Sequence, residues 1–224
     1  MAKAKAKYNP NGYIVYRGPS MLTGDPIIGV VTTVTTNDKT GAMLQLWILR
    51  ADIEPHTAVA AGDDKAICGN CPQAAGAGCY VTVFQAPLSV YRTAARGRYR
   101  DISSDPAAVE ALGRGRLVRF GAYGDPAALP AAVGQSLGRS ARGFTGYTHQ
   151  IKHRGFDPAW LDFAMVSCET PEQAAAQHAL GRRTFRATHD TTALLPGEIV
   201  CSADAYGITC EQCLGCDGAN RPGA

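Results

Sequence analysis

What the chain lacks narrows it first. Its 224 residues hold no apolar run near the length of a membrane span, and the opening MAKAKAKYNPNGY has no apolar centre of the kind a secretory leader carries. That predicts a soluble, cytoplasmic protein with no membrane partner. No GxxxxGK phosphate loop, GxSxG elbow or dinucleotide glycine fingerprint occurs, so kinase, hydrolase and nicotinamide chemistries lose their sequence support. No internal repeat or low-complexity linker divides the chain. A formal net charge of +3 is too small to name a polyanionic partner, and 46% hydrophobic with 18% charged residues argues against the disordered and fibrous classes.

What the chain has in excess is cysteine. Eight thiols are present, and in a reducing compartment they point to metal or redox chemistry rather than to a disulfide framework. They fall into three groups: Cys68, Cys71 and Cys79 in CGNCPQAAGAGCY; Cys201, Cys210, Cys213 and Cys216 in CSADAYGITCEQCLGC; and Cys168 alone. The CxxCxxC of the second group is typical of iron–sulfur ligation, although zinc would accept four thiolates equally well. The first group has only three thiols. On a four-iron cluster they leave one iron open to a small molecule; on zinc they leave a position for water, a histidine or Cys168. Gly69, Gly76 and Gly78 let the loop wrap closely and Pro72 stiffens it.

The remaining pattern is α/β. IIGVVTTVTT and MLQLWIL flank the turn residues of NDKTGA and read as a hairpin. VTVFQ is expected to extend briefly before a helix over PLSVYRTAARG, and Asp105 with Pro106 opens a short helix to Leu112. Strands are expected at 117–125, 144–150, 161–168, 182–188 and 197–203, with helices over PAAVGQSLG and PEQAAAQHALG. This alternation implies a mostly parallel sheet, and a partial, TIM-like (β/α) barrel is the expected architecture. The expected layout is a tail and hairpin lead-in over 1–42, the barrel over 43–200 and a cysteine-rich segment over 201–224. Gly121, Gly124, Asp125, His149 and Cys168 fall at or just past the carboxyl ends of strands, where such folds bind ligands. Asp125 alternatively caps the turn after Pro126, and Glu169 and Glu172 the helix from Pro171.

Taken together, the CY-terminated cysteine loop, RFGAYGDP, GYTHQ, MVSC and the C-terminal CxxCxxC resemble a group of small phage and plasmid proteins similar in turn to the radical S-adenosylmethionine superfamily. The likeness spans roughly Trp47 to Gly218. It implies that Cys68, Cys71 and Cys79 hold a [4Fe–4S] cluster whose open iron chelates S-adenosylmethionine, and that the four C-terminal cysteines hold an auxiliary cluster. It also implies that Tyr80 and the turn at Gly121, Gly124 and Asp125 contact the cofactor, the turn standing where the superfamily has Gly-Gly-Glu. An electron donor would complete such an enzyme. The spacing departs from the superfamily's CxxxCxxC, being CxxCx7C here. Tyr123, Tyr147 and His149 are the candidates to line a substrate cavity.

Two other classes stay open. Arg92, Arg96, Arg98 and Arg100 cluster in sequence and would track phosphates in a nucleic-acid-binding replication accessory whose metals are structural. A barrel with a closed zinc site and carboxylates exchanging bases on a nucleic acid, as transglycosylases do, is the third reading.

Overall fold

The computed structural model describes residues 8–74, 78–188, 190 and 192–218. Its elements in chain order are β1 (Gly12–Pro19), β2 (Pro26–Thr32), β3 (Leu44–Arg50), α1 (Pro55–Ala61), α2 (Lys65–Cys68), α3 (Ala86–Ala95) and β4 (Arg100–Asp101). There follow α4 (Pro106–Gly113), β5 (Leu117–Tyr123), α5 (Ala131–Gly138), β6 (Gly143–Thr148), β7 (Met165–Cys168), α6 (Pro171–His178), β8 (Thr184–Arg186), α7 (Ser202–Tyr206) and α8 (Cys210–Cys213). The strands form one eight-stranded mixed sheet in the order β4-β1-β2-β3-β5-β6-β7-β8. The α/β class is therefore as expected. Among the described residues the sheet does not close on itself, and β4 and β8 are its edges.

Two halves meet at β3. The hairpin read from the sequence is β2 against β3, antiparallel from Ile27↔Arg50 to Thr32↔Gln45. A strand the sequence reading passed over, β1, adds antiparallel to β2. From β3 onward, β5, β6, β7 and β8 each add parallel to the strand before. The connection from β3 to β5 contains the first cysteine loop.

The two faces of the parallel strands differ. Phe120 and Phe144 meet Trp160 and Phe163 on one face, with ring centroids 5.2–5.8 Å apart for the pairs that join Phe120 to the others and Phe144 to Phe163. Trp160 is fully buried, donates its indole N–H to the Leu129 carbonyl at 2.9 Å, and lies where a Cβ on Gly134 of α5 would meet it at 2.6 Å. Because strand side chains alternate, Arg119 and Thr145 point the other way, in register with each other and with Gln45. That second face is polar and carries the cysteine-bearing segments.

Helix signals located α3, α4, α5 and α6 well. Asp105 accepts from Ala108 N–H at 3.0 Å with Pro106 in the first turn, and Thr170 accepts from Gln173 N–H at 3.3 Å. Two expected extended segments are corrected. Residues 83–85 form a turn into α3, and 197–201 form no strand, because Glu198 folds back onto Arg186 of β8 at 2.7 Å instead of extending the sheet.

Candidate metal and cofactor site

Three successive parallel strands deliver polar groups to one end of the sheet: β5 leads into Gly124 and Asp125, β6 into His149 and Gln150, and β7 into Glu169. These are carboxyl ends, as the sequence reading placed them. The β5 turn is shaped by glycine. Gly121 has φ +75°, where the β3–β5 register slips, and a Cβ there would stand 2.7 Å from the Gly124 carbonyl. Gly124, at φ +81°, lets Ile48 and Ile67 approach, since a Cβ would lie 2.8 Å from the Ile48 Cβ and 3.3 Å from the Ile67 carbonyl. Asp125 N–H then donates to the Ile67 carbonyl at 2.7 Å, fastening the turn to the helix that ends in Cys68.

The Asp125 side chain is buried and committed. One oxygen accepts from Ala127 N–H at 3.0 Å and the other from His149 N–H at 2.8 Å, with the Thr148 hydroxyl adding a further bond. Burial pushes its carboxyl upward, and the N–H donors oppose that without cancelling it. Asp125 thus does cap the turn after Pro126, and in addition ties β5 to β6.

Gln150 fixes the cysteine loop. Its amide donates to the Cys68 carbonyl at 2.9 Å and accepts from Asn70 N–H at 3.2 Å, and it is 1% exposed. Gly69 between them has φ +56° and ψ −130°, and a Cβ on it would lie 2.2 Å from the Gln150 carbonyl oxygen. Beyond Cys71, Cys79 N–H donates to the Gln73 carbonyl at 2.8 Å. The three thiols therefore lie within electrostatic reach of one another. Burial pushes the Cys68 thiol well up, with Asp64 and its neighbouring thiols adding, and burial raises Cys71 as well. As the side chains stand, no three His, Cys, Asp or Glu groups among the described residues converge closely enough to hold a metal ion.

Around the loop lie two polar groups of different kinds. Gln73 donates to Glu169 at 2.6 Å, and the second oxygen of Glu169 meets His149 Nε2 at 3.0 Å, so the loop is joined to the ends of β6 and β7. Glu169 is thereby an ion-pairing partner, and Thr170 takes the helix cap. The Tyr123 hydroxyl is buried without a hydrogen-bond partner among the described residues, near Cys68 and Cys79, and burial raises it strongly. His153 follows the end of β6 in a turn and accepts from Gly155 N–H at 3.0 Å. Cys168 is 2% exposed and packs with Val166 and Ala174; its charged neighbours are Glu169, Glu198 and Arg186.

The second cysteine group lies at the opposite, amino end of the parallel strands. Thr209 and Gln212 form a capping box around α8, which places Cys210 and Cys213 on one short helix, and Leu214 ends it at φ 51°. The segment is sewn to the rest of the protein: Cys210 N–H donates to the Lys39 carbonyl at 2.8 Å, Ala42 N–H to Glu211 at 2.8 Å, and Gly146 N–H to the Cys216 carbonyl at 3.0 Å. Cys201, Cys210 and Cys213 all lie within electrostatic reach of Cys216, and the Tyr147 hydroxyl hydrogen-bonds to the Cys216 thiol. Tyr147 also stacks against Phe185 at 4.7 Å.

The arginines serve separate ends. Arg92 is paired with Glu54 at 2.8 Å and, with Arg96 and Phe84, lines a surface hollow of about 310 Å³; Arg98 offers its carbonyl to Asn9 N–H at 2.6 Å, and Arg100 sits in edge strand β4. Sequence reasoning missed Gln73 and Gln150, since nothing in composition or spacing marks a glutamine as a loop fastener. No helix among the described residues is long and apolar enough to cross a membrane. No protein-family model, curated protein or solved structure matches the chain.

Proposed function

We propose that the chain is an iron–sulfur protein of the radical S-adenosylmethionine type, with a partial (β/α) barrel built on its parallel strands. The observation that carries the reading is the donor count at the carboxyl end of the sheet: three thiols on one fastened loop, with Cys168 packed into a separate apolar cluster. A three-thiol set suits a four-iron cluster with one iron left for a ligand, and the buried Tyr123 hydroxyl beside it, without a hydrogen-bond partner among the described residues, supports a polar ligand there. Cys68, Cys71 and Cys79 would hold that cluster, and Cys201, Cys210, Cys213 and Cys216 a second, closed one.

When bound with S-adenosylmethionine, the first cluster would supply the electron that opens the cofactor's carbon–sulfur bond. The chain's own contribution is orientation. Asp125, through its N–H to the Ile67 carbonyl, and Gln150, through the Cys68 carbonyl, hold the loop over the strand ends. His149, oriented by Glu169, stands at the same end and is the group able to move a proton there. Tyr80, Gly121 and Gly124 remain the cofactor-facing positions of this proposal, while Asp125 is a positioning residue.

Anaerobic purification tests it. A brown protein with about eight irons per chain, and a reduced-cluster electron paramagnetic resonance spectrum altered by S-adenosylmethionine, is the expected result. Cys79→Ala should lose that alteration and keep the irons of the second site. A colourless protein carrying one or two zincs overturns the proposal and leaves closed thiolate zinc sites in its place.

A further inference from the structure

Strand β5 carries a cation into the polar face of the sheet. Arg119 is 7% exposed, yet among the described residues its guanidinium makes one hydrogen bond, to the Tyr80 hydroxyl, and no ion pair. Guanidinium has five N–H donors, so most of the fork is left for solvent or for a bound anion. A second observation sits next to it. Thr145, in register with Arg119 on β6, is 2% exposed and its hydroxyl has no partner among the described residues. Gln45, in register on the other side, spends its amide N–H donors on the Thr40 hydroxyl at 3.2 Å and the Met43 carbonyl at 3.0 Å, and among the described residues no hydrogen bond joins it to Arg119.

What covers the guanidinium is a loosely held side chain. The Tyr80 ring is 73% exposed, lies 6.0 Å from the Arg119 guanidinium carbon and touches it through its hydroxyl. A ring so exposed has little packing to lose on swinging aside.

We propose that Arg119 and Thr145 form a binding site for a small oxyanion, a carboxylate or phosphate group, which displaces the Tyr80 hydroxyl from the guanidinium. The planar fork matches two oxygens of such a group, and the Thr145 hydroxyl donates to it. The site stands on these residues alone and does not depend on the iron–sulfur reading. The thiol of Cys210 is also within electrostatic reach of Arg119, so the experiment has to separate a bound anion from the second cysteine group as the source of negative charge.

Calorimetric titration with inorganic phosphate and, separately, with acetate, at ionic strength fixed with chloride, makes that separation. The wild-type chain should bind one anion saturably, and the tighter of the two probes identifies the oxyanion class. Arg119→Gln should abolish binding. Tyr80→Phe, at an exposed position where folding is not at risk, should tighten it about three- to tenfold by removing the competing hydroxyl, and Thr145→Val should weaken it by a similar factor. Should Arg119→Gln fail to fold, the opposite effects of the other two variants still decide the matter. Absence of saturable binding in both wild type and Tyr80→Phe overturns the proposal. So does an Arg119→Gln protein that binds as before but loses iron on anaerobic preparation, which makes the guanidinium a counter-charge for the thiol site.

Discussion

Cys79 donates its backbone N–H to the carbonyl of Gln73 at 2.8 Å. The third thiol of the loop is therefore returned to a point two residues past Cys71, and the long gap in CxxCx7C does not carry it away from the other two. Read along the hydrogen bonds, the thiol frame is Cys68-x-x-Cys71-Pro72-Gln73 followed at once by Cys79.

Gly69→Ala tests how tightly that frame is specified. The position combines φ +56° with ψ −130°, a region closed to residues with a Cβ, and the added carbon would lie 2.2 Å from the Gln150 amide oxygen. We expect a loss of about 2–4 kcal/mol in urea unfolding and fewer irons retained at the first site. A variant with wild-type stability would show that the loop does not rest on the Gln150 contact.

Gln150→Leu removes the fastener and keeps most of its volume. The Cys68 carbonyl and the Asn70 N–H both lose their partner in a part-buried setting, at about 1–3 kcal/mol in total. The telling measurement is iron content by site: the first cluster should be depleted and the second retained. Equal depletion of both would mean general unfolding.

The uneven legibility of this chain has physical causes. Helices α3, α4 and α6 were readable because capping and first-turn proline are local signals, as at Asp105 and Thr170. Strand β1 was not, because Arg17 and Gly18 interrupt the apolar run of GYIVYRGP, and it is made a strand by pairing with β2. The reverse error at 197–203 has the same root: an apolar β-branched run became no strand once Glu198 turned back to Arg186. The thiols announced themselves by spacing, whereas Gln73 and Gln150 act across 96 and 82 positions of sequence and leave no local trace.

That Arg186–Glu198 pair gives an acid-stability prediction. Two bonds, at 3.0 and 2.7 Å, join the guanidinium to the carboxylate, both side chains are largely buried, and Arg186 holds the Glu198 carboxyl below its ordinary value. A carboxylate depressed on folding contributes stability that is fully present above its unfolded value and is lost as pH falls through the folded one. Denaturation midpoints should therefore drop as pH falls below about 4.5. Glu198→Gln should be less stable at neutral pH and show a shallower acid limb. An unchanged acid limb would assign acid sensitivity to other carboxylates.

Asp125→Asn separates the two roles offered for the residue after Gly124. The carboxylate accepts from Ala127 N–H on one oxygen and from His149 N–H on the other, so an amide of the same shape must turn its NH₂ toward one of those donors. A buried donor facing a donor costs about 1–3 kcal/mol, and the loss should appear in urea unfolding without any cofactor present. Burial also raises the Asp125 carboxyl, so part of the cost of holding its charge disappears in the neutral amide, and the measured loss should fall toward the lower end of that range. If Asp125→Asn keeps wild-type stability and instead loses the spectroscopic response to S-adenosylmethionine, the carboxylate is a cofactor ligand and its role as a clamp between β5 and β6 is refuted.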